Sequence, residues 1–188
     1  MKISDRIKGF TLKQMYAYLD KDPDTNIPKL LDYLEKSDKD GQGVTDQIEN
    51  IRKAISDPSS NWYRLIKSLW TDIDAEQRKA LVETAVVNGS LIGTPETMRW
   101  QDKYQCNVPW AILLDPTSAC NLHCKGCWAA EYGNKLNLSY DEIDDIIRQG
   151  KEMGTYFYIY TGGEPLVRKK DLIKLCEKHS DAIFMCFT

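Results

Sequence analysis

Apolar residues in the first half of the chain recur every three or four positions, the spacing that places side chains on one face of an α-helix. Thr11 with Gln14 forms a capping box for an early helix, and Asp74 with Gln77 opens a later one that is predicted to stop at Gly89. Between and beyond these signals lie four apolar stripes: Ile27, Leu30, Leu31 and Leu34; Val44, Ile48, Ile51 and Ile55; Trp62, Leu65, Ile66, Leu69 and Trp70; Leu81 and Ala85. The first half is therefore predicted to be helical, with the stripes as its core.

Beyond residue 105 the pattern changes to short apolar runs separated by loops and helices. A hinge is predicted at Gly93–Glu96, "GTPE", because glycine and proline interrupt regular structure. Ser139 and Glu142 form a capping box for a helix. Runs rich in apolar, aromatic and β-branched residues predict three strands: Trp110–Asp115, Thr155–Tyr160 and Ala182–Thr188.

This alternation of strands and helices predicts an α/β fold with a parallel sheet and helices outside it. The first strand is a continuous apolar run, which is typical of a strand buried on both faces. We therefore predict two domains, a helical domain with its linker at residues 1–105 and an α/β domain at residues 106–188.

Composition and charge narrow the choice of partners. The 25 Lys and Arg residues against 28 Asp and Glu give a net charge of −3, which excludes the basic footprint of a nucleic-acid-binding protein. No apolar run approaches the roughly 20 residues that span a bilayer, and the first ten residues lack the apolar core of a signal peptide. We expect a cytoplasmic protein with no transmembrane segment, whose substrate is a small molecule, a peptide or a lipid.

Candidate chemistry lies in two loops. "SACNLHCKGCWAA" follows the first predicted strand and holds Cys120, Cys124 and Cys127, a clustering that in a reducing compartment is typical of metal binding. "TGGEP", Thr161–Pro165, follows the second strand, and its two glycines permit a ligand to approach the backbone closely. Because the carboxyl ends of parallel strands meet at one edge of the sheet, both loops are expected there.

These loops resemble those of the radical S-adenosylmethionine (radical SAM) enzymes, in the cysteine spacing of "CNLHCKGC" and in the glycine motif "TGGEP". The resemblance covers residues 106–188, with no match for the helical half. It implies a 4Fe-4S cluster held by Cys120, Cys124 and Cys127, with S-adenosylmethionine on the fourth iron. It also implies a reductant of the flavodoxin or ferredoxin type and a 5'-deoxyadenosyl radical that abstracts hydrogen from the substrate.

The same resemblance assigns the cofactor-binding turn to Gly162, Gly163, Glu164 and Pro165. The chemistry of a carboxylate suits Glu164 to accept a hydrogen bond from the amino group of the cofactor. Many family members have an aromatic residue before the third cysteine, whereas this chain has Gly126 there and Trp128 after it. Trp128 is therefore the candidate for contact with the adenine.

Two alternative functions remain open at this point. One is an interaction module in which zinc is held by the three thiols and completed by His123 or Cys106. The other is an iron–sulfur electron carrier without S-adenosylmethionine. His123 and His179 are otherwise interpreted as bystanders, the run Arg168, Lys169 and Lys170 as a solvated face, and the remaining thiols as small buried residues: Cys106, Cys176 and Cys186.

The resemblance further implies a partial (β/α)6, TIM-like barrel of about six strands, of which the chain contains the first three β-α units. The sequence stops inside the third predicted strand, which would leave an open sheet edge. We therefore expect a truncated barrel that is inactive as these 188 residues alone.

Overall fold

The computed structural model describes residues 14, 16–37, 44–127 and 132–188. The chain divides into two compact units, Met1–Ala80 and Leu81–Thr188. Residues 81–105, which the predicted domain division assigns to the helical domain, pack with the second unit. The division at residue 105 as a functional boundary stays a prediction.

The first unit is built from the helices that the apolar stripes predict. After helical residues 16–21 come α1, Pro23–Ser37, α2, Val44–Ser56, α3, Asn61–Thr71, and α4, Ala75–Val82, which crosses the boundary between the units. Asp74 caps α4 as predicted, since its Oδ1 accepts hydrogen bonds from the backbone N–H groups of Glu76 and Gln77, both at 3.0 Å. The capping box at Thr11 lies outside the described residues.

The core of the first unit differs from the predicted stripes along α3. Leu31 and Ile48 are buried as expected, but Trp62 is 67% exposed and Leu65 is 57% exposed. The five apolar residues of that stripe wrap around more of the helix than one packing face can cover. Arg78 takes an inner position instead, with its guanidinium bonded to Asp20 Oδ1 at 2.6 Å and to backbone carbonyls at the end of α3.

The second unit begins with a continuous helical segment, so the predicted stop at Gly89 and the predicted hinge at Gly93–Glu96 are both wrong. Wide π-type turns run over Glu83–Gly93, and α5, Thr94–Tyr104, continues directly from them. Pro95 lies in the first turn of α5, and the helical segment continues through it. The helix ends at Gln105, whose φ of 50° is left-handed.

The three predicted strands are confirmed as β1, Ala111–Leu114, β2, Phe157–Tyr160, and β3, Ile183–Cys186. They form a parallel sheet in the order β1-β2-β3, with Leu114 paired to Tyr160 and Tyr160 paired to Cys186. The crossover helices are α6, Tyr140–Glu152, and α7, Lys169–Lys178. The capping box is confirmed at α6, where Ser139 and Glu142 exchange hydrogen bonds.

Helices α6 and α7 cover one face of the sheet. The core between them contains Leu114, Ile143, Ile147, Tyr158, Tyr160, Leu172, Leu175 and Ala182. On the opposite face, Leu113 is 58% exposed and Met185 is 45% exposed. The prediction that β1 is buried on both faces is therefore wrong. In the described part of the chain, no helix has the length and apolarity needed to cross a membrane.

Candidate cofactor site

The cysteine loop leaves the carboxyl end of β1 and contains a tight turn between its second and third thiols. The backbone N–H of Cys127 donates to the carbonyl of Cys124 at 3.2 Å, which closes a four-residue turn. Gly126, the third residue of that turn, has a φ of 76°, the value that a type II turn requires and that favours glycine. The turn therefore explains Gly126 at the position where many family members have an aromatic residue, and it holds Cys124 and Cys127 close together.

The three thiols lie at the surface. Cys120 and Cys124 are exposed and Cys127 is intermediate, while the backbone N–H of Leu122 donates to Cys120 Sγ at 3.4 Å. Hydrogen bonds of this kind stabilise a thiolate and tune iron–sulfur clusters. Among the residues that the structure describes, no three His, Cys, Asp or Glu side chains are gathered as a preformed metal site. This holds for the three thiols alone and for any set that adds His123 or Cys106 to them.

The glycine turn is docked onto the start of the cysteine loop by backbone hydrogen bonds. Gly163 N–H donates to the carbonyl of Thr117 at 3.0 Å, and Glu164 N–H donates to the carbonyl of Ala119 at 2.8 Å. These bonds continue the pairing of β1 with β2 past the ends of the strands. The expectation that the two loops meet at one edge of the sheet is thereby confirmed.

Gly163 is at this position because the cysteine loop leaves no room for a side chain. A Cβ atom there would lie 2.3 Å from the carbonyl oxygen of Ala119 and 2.7 Å from that of Ser118. The sequence argument explained the glycines by the approach of a ligand, but at Gly163 the close neighbour is the chain's own backbone.

Glu164 is buried, and its carboxylate is engaged within the protein. Oε1 accepts hydrogen bonds from the backbone N–H of Leu166 at 2.9 Å and from the hydroxyl of Thr188 at 2.8 Å. The first of these caps the short 3-10 helix Pro165–Arg168, which begins at the buried Pro165. Glu164 therefore has a structural role, whether or not it also contacts a cofactor.

The sequence analysis interpreted Arg168 as part of a solvated face, and the structure contradicts this. The Arg168 side chain is 17% exposed, pairs with Asp171 at 2.7 Å and donates to the carbonyls of Pro116 and Leu138. Pro116 begins the cysteine loop and Leu138 ends it, so Arg168 ties both ends of that loop to the segment after the glycine turn.

The sequence analysis missed the residues that brace the base of the cysteine loop. Thr117 is 1% exposed; its hydroxyl donates to Asn137 Oδ1 at 2.5 Å and accepts from Ala119 N–H at 3.0 Å. Asp115, at the end of β1, has a buried Oδ1 with no hydrogen-bond partner in the described part of the chain. The signal in the sequence that could have indicated both is the occurrence of short polar residues directly after an apolar strand.

A cavity of about 530 Å³ opens beside these residues. Its wall includes Asp115 and Thr117 from the first loop, Gly162 and Gly163 from the second, and Lys135 from the segment before α6. The cavity is thus formed at the carboxyl edge of the sheet, where α/β proteins bind their ligands.

The remaining predicted residues lie apart from this arrangement. Cys106 is exposed, although it was expected to be buried. Cys176 and Cys186 pack against the core of the second unit. Burial raises the pKa of both of these core thiols, which disfavours the thiolate needed for metal binding. His179 is buried against Asp144, with 2.9 Å between Nε2 and Oδ1, and Trp128 lies outside the described residues.

Comparison with known proteins matches residues 114–187 to the radical SAM superfamily. GTP 3',8-cyclase of Clostridium perfringens is 30% identical over 94 residues, which are 47% of this chain and 29% of that protein. GTP 3',8-cyclase of Geobacter sulfurreducens is 42% identical over 62 residues, 31% of this chain and 19% of that protein. The chain thus spans less than a third of the length of these relatives. No solved structure matches the chain.

The matched segment begins at Leu114, the last residue of β1, and contains the cysteine loop, β2, the glycine turn and β3. Through this segment, the chain is similar to the radical SAM superfamily.

Proposed function

We propose that the second unit is the amino-terminal part of a radical SAM enzyme, with Cys120, Cys124 and Cys127 as ligands of a 4Fe-4S cluster. Gly162, Gly163, Glu164 and Pro165 form the turn beside which S-adenosylmethionine binds. The observation that carries this proposal is the docking of the glycine turn onto the cysteine loop through Thr117 and Ala119. A cofactor that bridges the two loops needs them at a constant separation, and backbone hydrogen bonds provide it.

The donor chemistry fits this cofactor. Three thiolates suit iron and leave one coordination position for the amino-acid end of S-adenosylmethionine. The turn that joins Cys124 to Cys127 brings the backbones of two of the ligands together, and the Leu122 N–H donates a hydrogen bond to the sulfur of Cys120. The exposed loop lets the three side chains turn toward a common centre when they bind iron.

When bound, these groups supply one-electron cleavage of S-adenosylmethionine and the 5'-deoxyadenosyl radical that abstracts hydrogen from a substrate. The chain's own contribution is to orient them. Arg168 and Thr117 hold the two ends of the cysteine loop, and Asp115 lines the adjoining cavity, with an Oδ1 atom that has no hydrogen-bond partner among the described residues.

The wider setting is proposed on the same basis. The parallel sheet with α6 and α7 on one face is the beginning of a (β/α)6 barrel, and the helical unit is a separate domain. The location is the cytoplasm, where ligand thiols stay reduced and a flavodoxin or ferredoxin supplies electrons. The substrate is a small molecule, a peptide or a lipid. The similarity to GTP 3',8-cyclases supports the cofactor chemistry. We infer no substrate from the nucleotide in the name of those enzymes.

Metal analysis of anaerobically reconstituted protein tests the proposal. We expect about four irons and four sulfides per chain, little zinc, and a change in the electron paramagnetic resonance spectrum of the reduced cluster when S-adenosylmethionine is added. Such a change reports a ligand on the open iron. One zinc per chain without iron would instead establish the zinc module, and a cluster that ignores S-adenosylmethionine would establish the electron carrier.

Cysteine variants identify the ligands in the same assay. Cys120→Ser, Cys124→Ser and Cys127→Ser are each expected to lose stable cluster binding. Cys106→Ser is the matched control, because Cys106 is also exposed, and it is expected to keep the iron content of the wild type. Loss of iron from Cys106→Ser would indicate a fourth protein ligand and a closed site.

A further inference from the structure

Asp115 stands at the carboxyl end of β1, and its side chain is the unexplained polar group of the candidate site. Its Oδ1 is buried and finds no hydrogen-bond partner in the described residues. A carboxylate removed from water without a partner is costly, and burial accordingly raises the pKa of Asp115. Groups of this kind in a cleft are candidates for ligand binding.

Asp115 lies directly beside the glycine turn. A Cβ atom on Gly162 would come within 2.9 Å of the Cβ of Asp115, and both residues line the cavity of about 530 Å³. Lys135 lines the same cavity, so its wall carries one acidic and one basic side chain. That combination complements a ligand group that bears both charges, such as the amino-acid end of a small molecule.

Several other side-chain acceptors at this edge are engaged within the protein. Glu164 Oε1 accepts from Leu166 N–H and from the hydroxyl of Thr188. Thr117 Oγ1 is used by Asn137 and Ala119, and Ser118 Oγ accepts from the backbone N–H of Leu136 at 3.1 Å. Among the buried side-chain atoms of the residues that line this cavity, Asp115 Oδ1 is the acceptor for which the described residues supply no hydrogen-bond partner.

We propose that Asp115 accepts a hydrogen bond from the amino group of S-adenosylmethionine, the role that the sequence analysis assigns to Glu164. This inference rests on the proposed function, because it concerns the same cofactor. Glu164 then acts as the cap that holds the glycine turn in place, and Asp115 is the cofactor-binding carboxylate. The ligand supplies the hydrogen-bond donor that Asp115 Oδ1 lacks in the described chain.

Equilibrium dialysis of the full-length, cluster-loaded protein with labelled S-adenosylmethionine tests this assignment. Asp115→Asn is expected to weaken S-adenosylmethionine binding roughly 10- to 100-fold, because a charge-assisted hydrogen bond is replaced by a neutral one or lost. Binding of 5'-methylthioadenosine, which has the adenosine part but no amino-acid end, is expected to stay the same. Iron content measured on the same samples is also expected to stay the same.

Asp141→Asn is the matched control, since Asp141 is an exposed aspartate in the first turn of α6, and it is expected to bind both molecules like the wild type. An Asp115→Asn protein that binds S-adenosylmethionine within twofold of the wild type would overturn this inference but not the proposed function. Equal weakening of both molecules would also overturn it, because the effect would then be a general change of the cavity. A wild-type protein that holds iron but binds no S-adenosylmethionine would overturn the proposed function as well.

Discussion

At the scale of single residues, Gly163 sets the separation of the two loops of the candidate site. Its missing side chain lets the glycine turn pack against the backbone of Ala119, and its N–H bonds to Thr117 from the same position. Glu164 then caps the next helical turn. The residues that resemble a cofactor motif therefore also act as the joint between two strands of the sheet.

The variant Gly163→Ala is expected to destabilise the protein by about 3 kcal/mol and to reduce iron binding, because the new methyl group would push the cysteine loop away. Gly133→Ala is the control: Gly133 has a φ of 61° but open space around it, so only backbone strain of about 1 kcal/mol is expected. Urea unfolding and iron analysis measure both effects. Equal destabilisation by the two substitutions would contradict the packing explanation.

At the scale of secondary-structure elements, a polar clamp joins the two crossover helices. Asp144 of α6 lies 2.7 Å from Lys178 Nζ and 2.9 Å from His179 Nε2, at the end of α7. The hydrogen bond from Lys178 is the largest cause of the lowered pKa of Asp144. Desolvation raises this pKa, and the hydrogen bond from His179 lowers it further. The clamp aligns the helices that cover one face of the sheet.

Asp144→Asn is expected to reduce the free energy of unfolding by about 1 kcal/mol at pH 7. Because the folded pKa of Asp144 is lowered, its contribution is present above the ordinary value of 3.8 and is lost as the pH falls through the lowered pKa. The difference between variant and wild type should therefore shrink in acid. Asp145→Asn, in an exposed pair with Arg148 on the same helix, should change little. A pH-independent loss in Asp144→Asn would contradict the charge argument.

At the scale of the whole molecule, the second unit has one covered and one exposed sheet face. The side of β1 and β3 away from α6 and α7 presents Leu113 and Met185, with Trp110 and Phe187 exposed just beyond the strands. Exposed apolar surface on a sheet face favours association between molecules.

The isolated 188-residue chain is therefore expected to self-associate, and Leu113→Thr with Met185→Thr is expected to shift it toward the monomer. Val86→Thr is the control, since Val86 is a similarly exposed apolar residue on the helical segment before the sheet. Sedimentation velocity measures the change. A double variant that associates as strongly as the wild type would show that another surface is responsible.

Local pattern in the sequence was enough to predict most elements and to indicate the candidate chemistry. Helical spacing indicated α2 and α3, the Ser139 and Glu142 pair indicated the start of α6, and aromatic and β-branched residues indicated β2. The spacing of the three cysteines indicated a metal centre on the edge shared with the glycine turn. These features depend on interactions between residues a few positions apart, which the sequence displays directly.

Only the tertiary structure decided how side chains from distant positions are used. It engaged Glu164 with Thr188, drew Arg168 to the carbonyls of Pro116 and Leu138, and placed Gly163 against Ala119. It also carried the helix through Pro95 and placed Asp115 beside Gly162, with an Oδ1 atom that has no hydrogen-bond partner among the described residues. The physical reason is that a side chain's partners depend on which loops the sheet brings together, and periodicity along the chain holds no record of those distances.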